Sequence, residues 1–348
     1  MSERPSKKAN SPAEQRRLQM ADIARLAGVS VSTVSRALNG SSLVNDETRT
    51  RVAELARSLN YSINLGAQNL RLQKNRTVAV VLPYEASSRQ HISDPFFLAL
   101  IGSIADALTD QGYDMLLSRV DAEHLDLAAQ FYDSGKAIAV LMIGQWRHHD
   151  QLNALAARQL PLVVWGGALP QQLYCSVGGD NRAGGLQATR HVLGLGRRRL
   201  AFLGDAQLPE VWLRREGHHQ ALAEAGLSPD AALELALPFE PVGARAVLER
   251  WLPQMPDVDA VLACSDLLAL QAIQVLRAQG RRVPEDVAVV GYDDMPLAAY
   301  CEPPLSTVHQ PVAEAGAELV AALTAQLRGE RASSRTLDVE LIVRRSTV

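Results

Sequence analysis

Residues Met20 to Gly40 read MADIARLAGVSVSTVSRALNG. Apolar Ile23, Ala24, Ala27, Val34 and Leu38 recur at spacings that place them on the facing sides of two short helices, with Gly28-Val29-Ser30 between. The pattern predicts a helix-turn-helix. Gly28 supplies the left-handed backbone that a sharp helix exit requires, and Ser30 can cap the next helix by accepting from its free amides. That second helix, Val31 to Leu38, carries Ser32, Thr33, Ser35 and Arg36 and no acidic residue, a face suited to phosphates and base edges. The competing reading is a helical hairpin whose small residues serve packing.

On the N-terminal side, residues 1–19 are polar, basic and rich in Ser, Pro and Gln, which predicts a disordered tail. On the C-terminal side, Asn45-Asp46-Glu47 precedes Val52, Leu55, Ala56 and Leu59 at helical spacing, so a third helix closes a small core. Its acidic start and Arg57 near its end suit the helix dipole. The formal net charge of -3 would argue against nucleic acid, but it is unevenly spread. Residues 1–76 hold 13 Lys and Arg against 6 Asp and Glu, whereas the remainder holds 22 against 32. The basic end is the DNA candidate.

From Thr77 onward, short β-branched runs alternate with longer amphipathic ones. Strands are predicted at 78–82, 114–118, 137–143, 162–165, 200–203, 260–263 and 287–290, and helices at 96–111, 182–195, 213–225 and 267–279. Such repeated units indicate parallel sheets in two lobes.

The segment DIARLAGVSVSTVSRALNG resembles the amino-terminal signature of the LacI family of bacterial transcription regulators. The likeness continues in order through Asp94-Pro95-Phe96-Phe97, GGDNRAGG (178–185), GRRRLAFLG (196–204), VVGYDD (289–294) and PPLSTVHQ (303–310). It implies an all-α helix-turn-helix headpiece joined by a hinge helix to a two-lobed α/β parallel-sheet domain of the periplasmic-binding-protein type. The corresponding bounds are a tail at 1–19, a headpiece at 20–62, a hinge and linker at 63–76, and an effector-binding and dimerisation domain at 77–348. The resemblance implies that Val31, Ser32 and Arg36 read bases, that Thr33, Ser35 and Asn39 hold phosphates, and that Leu70 wedges into the minor groove. Gln19 departs from the Thr or Ser usual at the first cap. Three crossings between lobes are implied, with the first lobe at 77–175 plus 309–335. The second lobe takes the intervening segment and a last strand at 336–343.

In open α/β sheets, ligands bind beyond the carboxyl ends of strands, and between two lobes they bind in the cleft. Asp94, Phe96 and Phe97 follow the first strand, Trp165 ends the fourth, Ser265 and Asp266 follow 260–263, and Asp293 follows Gly291-Tyr292. Carboxylates and an arginine suit sugar hydroxyls, and aromatic faces suit the C–H surface. By resemblance Arg214 is the hydroxyl-binding arginine and Asp293 its aspartate partner, while Ser265 stands where the family often has Asn. Phe97 as core, Trp165 under a loop and Asp266 as a helix cap are the structural alternatives.

An apolar share of 47% with 21% charged residues is ordinary for a globular protein, and no apolar run reaches the ~18 residues of a membrane span. The opening segment lacks the apolar core of an export signal, so a cytoplasmic location is expected. Cys175, Cys264 and Cys301 show neither metal-ligand nor disulfide spacing and are expected to be reduced and buried. The adjacent pairs His148-His149 and His218-His219 are expected at the surface. Gly194-Leu195-Gly196 is not a dinucleotide fingerprint, and there is no phosphate loop with its lysine and no GxSxG elbow.

The expectation is a non-enzymatic, homodimeric, sequence-specific repressor without a cofactor, metal or membrane partner. It binds a pseudo-palindromic duplex operator under control of an uncharged mono- or disaccharide held between the lobes. Only Arg344 to Val348 follow the last strand, leaving no appended heptad helix, which is the basis for expecting a dimer. The alternatives are a corepressor-controlled relative taking a sugar, purine or nucleoside, and a solute-binding protein.

Overall fold

A computed structural model describes residues 20–38, 41, 43–59, 75–85, 92–237 and 241–348. The tail at 1–19 with Gln19, Asn39, and the hinge segment 63–74 with Leu70 lie outside the described residues. The chain divides into two compact units between Lys74 and Asn75.

The first unit contains α1 (Met20–Ala27), α2 (Val31–Leu38) and α3 (Asp46–Ser58). Ile23, Val34 and Val52, one from each helix, are completely buried, with Ala24, Ala27, Ala37 and Val44 around them. Leu38, expected in this core, is only half-buried, and Ala37 takes the inner position. Gly28 has φ +65°, which releases the chain from α1. Ser30 Oγ accepts from the Thr33 amide at 3.1 Å and so caps α2. Asn45 Oδ1 does the same for α3, accepting from the Thr48 amide at 2.8 Å. Removing the first cap in Ser30→Ala is expected to cost about 1 kcal/mol of helix stability, measured as faster amide hydrogen exchange in α2 than in α3.

The second unit contains two sheets. β1 (Thr77–Tyr84), β2 (Asp114–Asp121), β3 (Ala139–Ile143), β4 (Leu162–Trp165) and β5 (Cys175–Gly179) build the first. β6 (Leu200–Leu203), β7 (Glu234–Leu235), β8 (Ala260–Ala263), β9 (Ala288–Asp293) and β10 (Ser306–His309) build the second. The chain then returns to each sheet once, with β11 (Arg335–Leu337) parallel to β5 and β12 (Glu340–Ile342) antiparallel to β10. The spatial orders are β11-β5-β4-β3-β1-β2 and β12-β10-β9-β8-β6-β7.

Parallel strands covered by helices on both faces are continuous apolar runs, as β1 illustrates: Val78 to Leu82 are at most 1% exposed. The chain crosses between lobes after β5, after β10 and at Asp338-Val339. Two expected boundaries need correction. β5 belongs to the first sheet through Gly179, and the single last strand expected at 336–343 is two short strands, one in each lobe. The interruption at 338–339 is itself the third crossing.

Four helices position the chemistry: α4 (Pro95–Asp110), α5 (Asn181–Gly194), α6 (Pro209–Glu224) and α7 (Asp266–Ala278). Asp94 caps α4 by accepting from the Phe96 amide at 2.9 Å, with Pro95 in the first turn. Ser265 caps α7, accepting from the Leu268 amide at 3.3 Å.

Candidate functional site

On the headpiece, α2 presents Val31, Ser32 and Arg36 to solvent, while Thr33 and Ser35 are half-buried along its flank. Val31 is 44% exposed although apolar. The Ser30, Ser32 and Thr33 hydroxyls form a chain at 2.8 Å, so the start of α2 is a cluster of hydroxyl groups around free helix amides.

In the second unit, the carboxyl ends of β1, β3 and β4 in one lobe face those of β8 and β9 and the start of α6 in the other. Between them lies a cleft of about 670 Å³, counted out to its open mouth, which is within the size range of small-molecule sites. Seven of the eight cleft residues singled out from the sequence line it: Asp94, Phe96, Phe97, Trp165, Arg214, Ser265 and Asp293. Asp266 does not. It is fully buried in the first turn of α7, where it accepts from the Thr307 hydroxyl and from the Met295 amide at 2.7 Å.

Arg214 is held rigidly. Its Nε donates to Asn181 Oδ1 at 2.8 Å, one Nη donates to the Cys264 carbonyl, and the guanidinium carbon lies 3.6 Å above the Tyr292 ring. Asn181 is fixed in turn, donating to the Gly179 carbonyl at 3.0 Å. Asp293 ends β9 with φ +112°, a left-handed conformation that is strained for a residue with a side chain, and accepts from Gln310 Nε2 at 2.7 Å. Burial pushes the Asp293 carboxyl well above the usual carboxylate range, and nearby Arg214 opposes that shift. Burial likewise raises Asp94, partly offset by the Phe96 amide.

The aromatic wall is continuous, with Phe96 5.8 Å from Phe97 edge-on and 6.1 Å from Trp165 between ring centroids. Of the further lining residues that escaped the sequence reading, Trp146 and Glu210 bear on the chemistry. Each left a signal. Trp146 follows β3 as the other candidates follow their strands, and Glu210 precedes Arg214 by one helical turn.

The loop after β3 also links the lobes. Arg147 pairs with Glu85 of its own lobe and with Asp205 of the other, and the Gln145 amide donates to Glu210 Oε1 at 3.4 Å. Trp146 sits between these two contacts in a left-handed conformation, φ +50°.

One expected surface histidine is internal. His218 is 3% exposed, stacked on Phe202 and 3.0 Å from Thr189 Oγ1. The Thr189 hydroxyl donates to the Gly185 carbonyl, so His218 Nδ1 is the donor of that pair. Burial lowers the His218 pKa to about 3 and keeps the ring neutral. All three cysteines are free, Cys175 and Cys264 buried and Cys301 half-buried. Among the described residues no group of three His, Cys, Asp or Glu could hold a metal ion, and no helix is long and apolar enough to cross a membrane.

Residues 19–64 match the family model for bacterial regulatory proteins of the lacI family, and residues 189–347 match that for a periplasmic binding protein-like domain. The chain is similar to the HTH-type transcriptional regulator CelR of Thermobifida fusca, with 35% identity over 95% of this chain and 98% of the relative. It is also 32% identical to the ribose operon repressor of Haemophilus influenzae, over 92% of this chain and 95% of that one. Among solved structures, a complex of CelR with cellobiose superposes with a TM-score of 0.69 at 34% identity, covering 95% of this chain and all of that one.

Proposed function

The chain belongs to the lacI family of bacterial regulatory proteins, and on that premise we propose how its two units share the work of a sugar-controlled repressor. It is a DNA-binding transcriptional regulator. α2 enters the major groove, Val31, Ser32 and Arg36 read base edges, and Thr33, Ser35 and Asn39 hold phosphates. Leu70 inserts in the minor groove between two half-sites, which makes the working form a cytoplasmic homodimer on a pseudo-palindrome. The protein turns over no substrate; its small molecule is an effector.

The observation that carries the effector assignment is the convergence of Asp94, Phe96, Phe97 and Trp165 from one lobe with Arg214, Ser265 and Asp293 from the other on one cleft. A ligand touching both lobes changes their relative free energy of closure. Only this differential contact lets it act on DNA affinity. The relative in complex with cellobiose supports a sugar as the class of effector.

The test is selection of operator sequences from random duplex DNA at fixed salt, followed by titration of a sugar panel against the complex. A palindrome released by one sugar is the expected result. Tightening by a ligand would reverse the sign and make it a corepressor, and failure to enrich any sequence would overturn the DNA-reading assignment. Within that experiment, Arg36→Ala is expected to cost about 1–3 kcal/mol of specific binding while effector affinity stays unchanged. An unaltered operator affinity would mean that α2 is docked differently.

A further inference from the structure

Resting on the assignment of the cleft as the effector site, we propose that the effector is an amino-bearing sugar whose ammonium is held by Glu210 against the aromatic wall. Glu210 and Arg214 are one turn apart on α6 and line the same cleft, a spacing at which opposite charges commonly pair. They do not pair here. Arg214 is turned away to Asn181, the Cys264 carbonyl and the Tyr292 ring. Among the described residues, none of Glu210, Asp94 and Asp293 has a cationic partner within 4.0 Å.

The donors to these carboxyls are neutral: the Gln145 amide and its own amide for Glu210, the Phe96 amide for Asp94 and the Gln310 side chain for Asp293. Burial raises the pKa of all three carboxyls, and Arg214 opposes the shift only for Glu210 and Asp293, so their ionised forms are under-compensated in a site whose walls limit screening by water. A neutral sugar brings hydroxyl donors but no positive charge to favour the ionised carboxyls. A protonated amine brings donors and the missing cation together. The rings of Phe96, Trp146 and Trp165 favour the same group, because the negative faces of aromatic rings attract cations, while the C–H face of the sugar packs on them. Sugar phosphates and uronic acids are disfavoured by the same carboxylates. The expectation of an uncharged sugar from the sequence rested on acids, one arginine and aromatics without a basic cluster, and did not include Glu210.

The test is calorimetric titration of the full-length protein at pH 7 with matched sets: glucose, glucosamine, N-acetylglucosamine and glucose 6-phosphate, then cellobiose and its fully deacetylated amino counterpart, chitobiose. The amine is expected to bind about tenfold tighter, or more, than its hydroxyl and N-acetyl isosteres, the advantage of a charge-assisted hydrogen bond over a neutral one. In Glu210→Gln the ratio of amine to hydroxyl affinity is expected to fall toward one. Equal affinities in the wild type, or a ratio that survives Glu210→Gln, would overturn the proposal and leave the effector site standing. Absence of binding by every sugar would overturn both.

Discussion

Replacing Arg214 by alanine is expected to leave a protein that still binds its operator but no longer responds to the sugar that releases the wild type. The guanidinium is fixed at Nε by Asn181 and at one Nη by the Cys264 carbonyl, so its remaining donor capacity is pre-aimed and costs little ordering on binding. Loss of charged hydrogen bonds of this kind weakens a ligand by about 3 kcal/mol, on the order of 100-fold. The variant also leaves the Asn181 side chain and a buried carbonyl without their donor and removes the positive charge that opposes protonation of Asp293. Titration of the variant with the wild-type effector, alongside operator binding in its absence, checks both halves. Arg214→Lys separates charge from geometry, since an ammonium cannot reproduce the planar fork that reaches two acceptors while lying on Tyr292. A variant that retains a normal effector response would remove Arg214 from the site.

Gly217→Ala is expected to destabilise the second unit by about 3 kcal/mol or more, which is large for a single added methyl. α5 and α6 cross at reciprocal glycines. A Cβ on Gly217 would land on the Arg182 carbonyl oxygen and at 2.7 Å from the Leu186 amide, and one on Gly185 would land on the Arg214 carbonyl. These are backbone atoms, so relief requires the helices to separate. Because α5 carries Asn181 and α6 carries Glu210 and Arg214, the same separation loosens the effector cleft. Denaturant unfolding of Gly217→Ala against Gly102→Ala isolates the crossing. Gly102 is also helical, but a Cβ there meets nothing within 4 Å, and its replacement is expected to gain roughly 0.5–1 kcal/mol from helix propensity. Equal midpoints for the two variants would show that the crossing can relax.

Much of the cleft was legible before any coordinates because parallel α/β sheets place function at strand ends. Knowing where β1, β4, β8 and β9 stop was sufficient to nominate Asp94, Phe96, Phe97, Trp165, Ser265 and Asp293. What strand ends do not reveal is direction. Asp266 follows Ser265 by one residue, yet it points to Thr307 and Met295 while Ser265 faces the cleft. Helix phase decided that difference. Glu210 was overlooked because it opens a helix beyond a loop, five residues after Asp205, and local sequence there carries no strand-end signal. His218 was misread for a related reason. Histidine is compatible with the surface and the interior alike, and the Thr189 partner that stabilises it inside is 29 residues away on another helix.

The sequence by itself determined the helix-turn-helix, its cap at Ser30, and the alternation that makes the second unit a pair of parallel sheets. These depend on residues within a few positions of one another, where hydrophobic period, left-handed glycine and side-chain capping act locally. Only the tertiary structure decided where the last strand breaks to cross between lobes, which glycines bring α5 and α6 into backbone contact, and that Arg214 is clamped away from Glu210 while both face one cleft. Those features arise from contacts between segments distant along the chain, and the energies that select them, burial of charge and close packing, depend on what lies opposite in space.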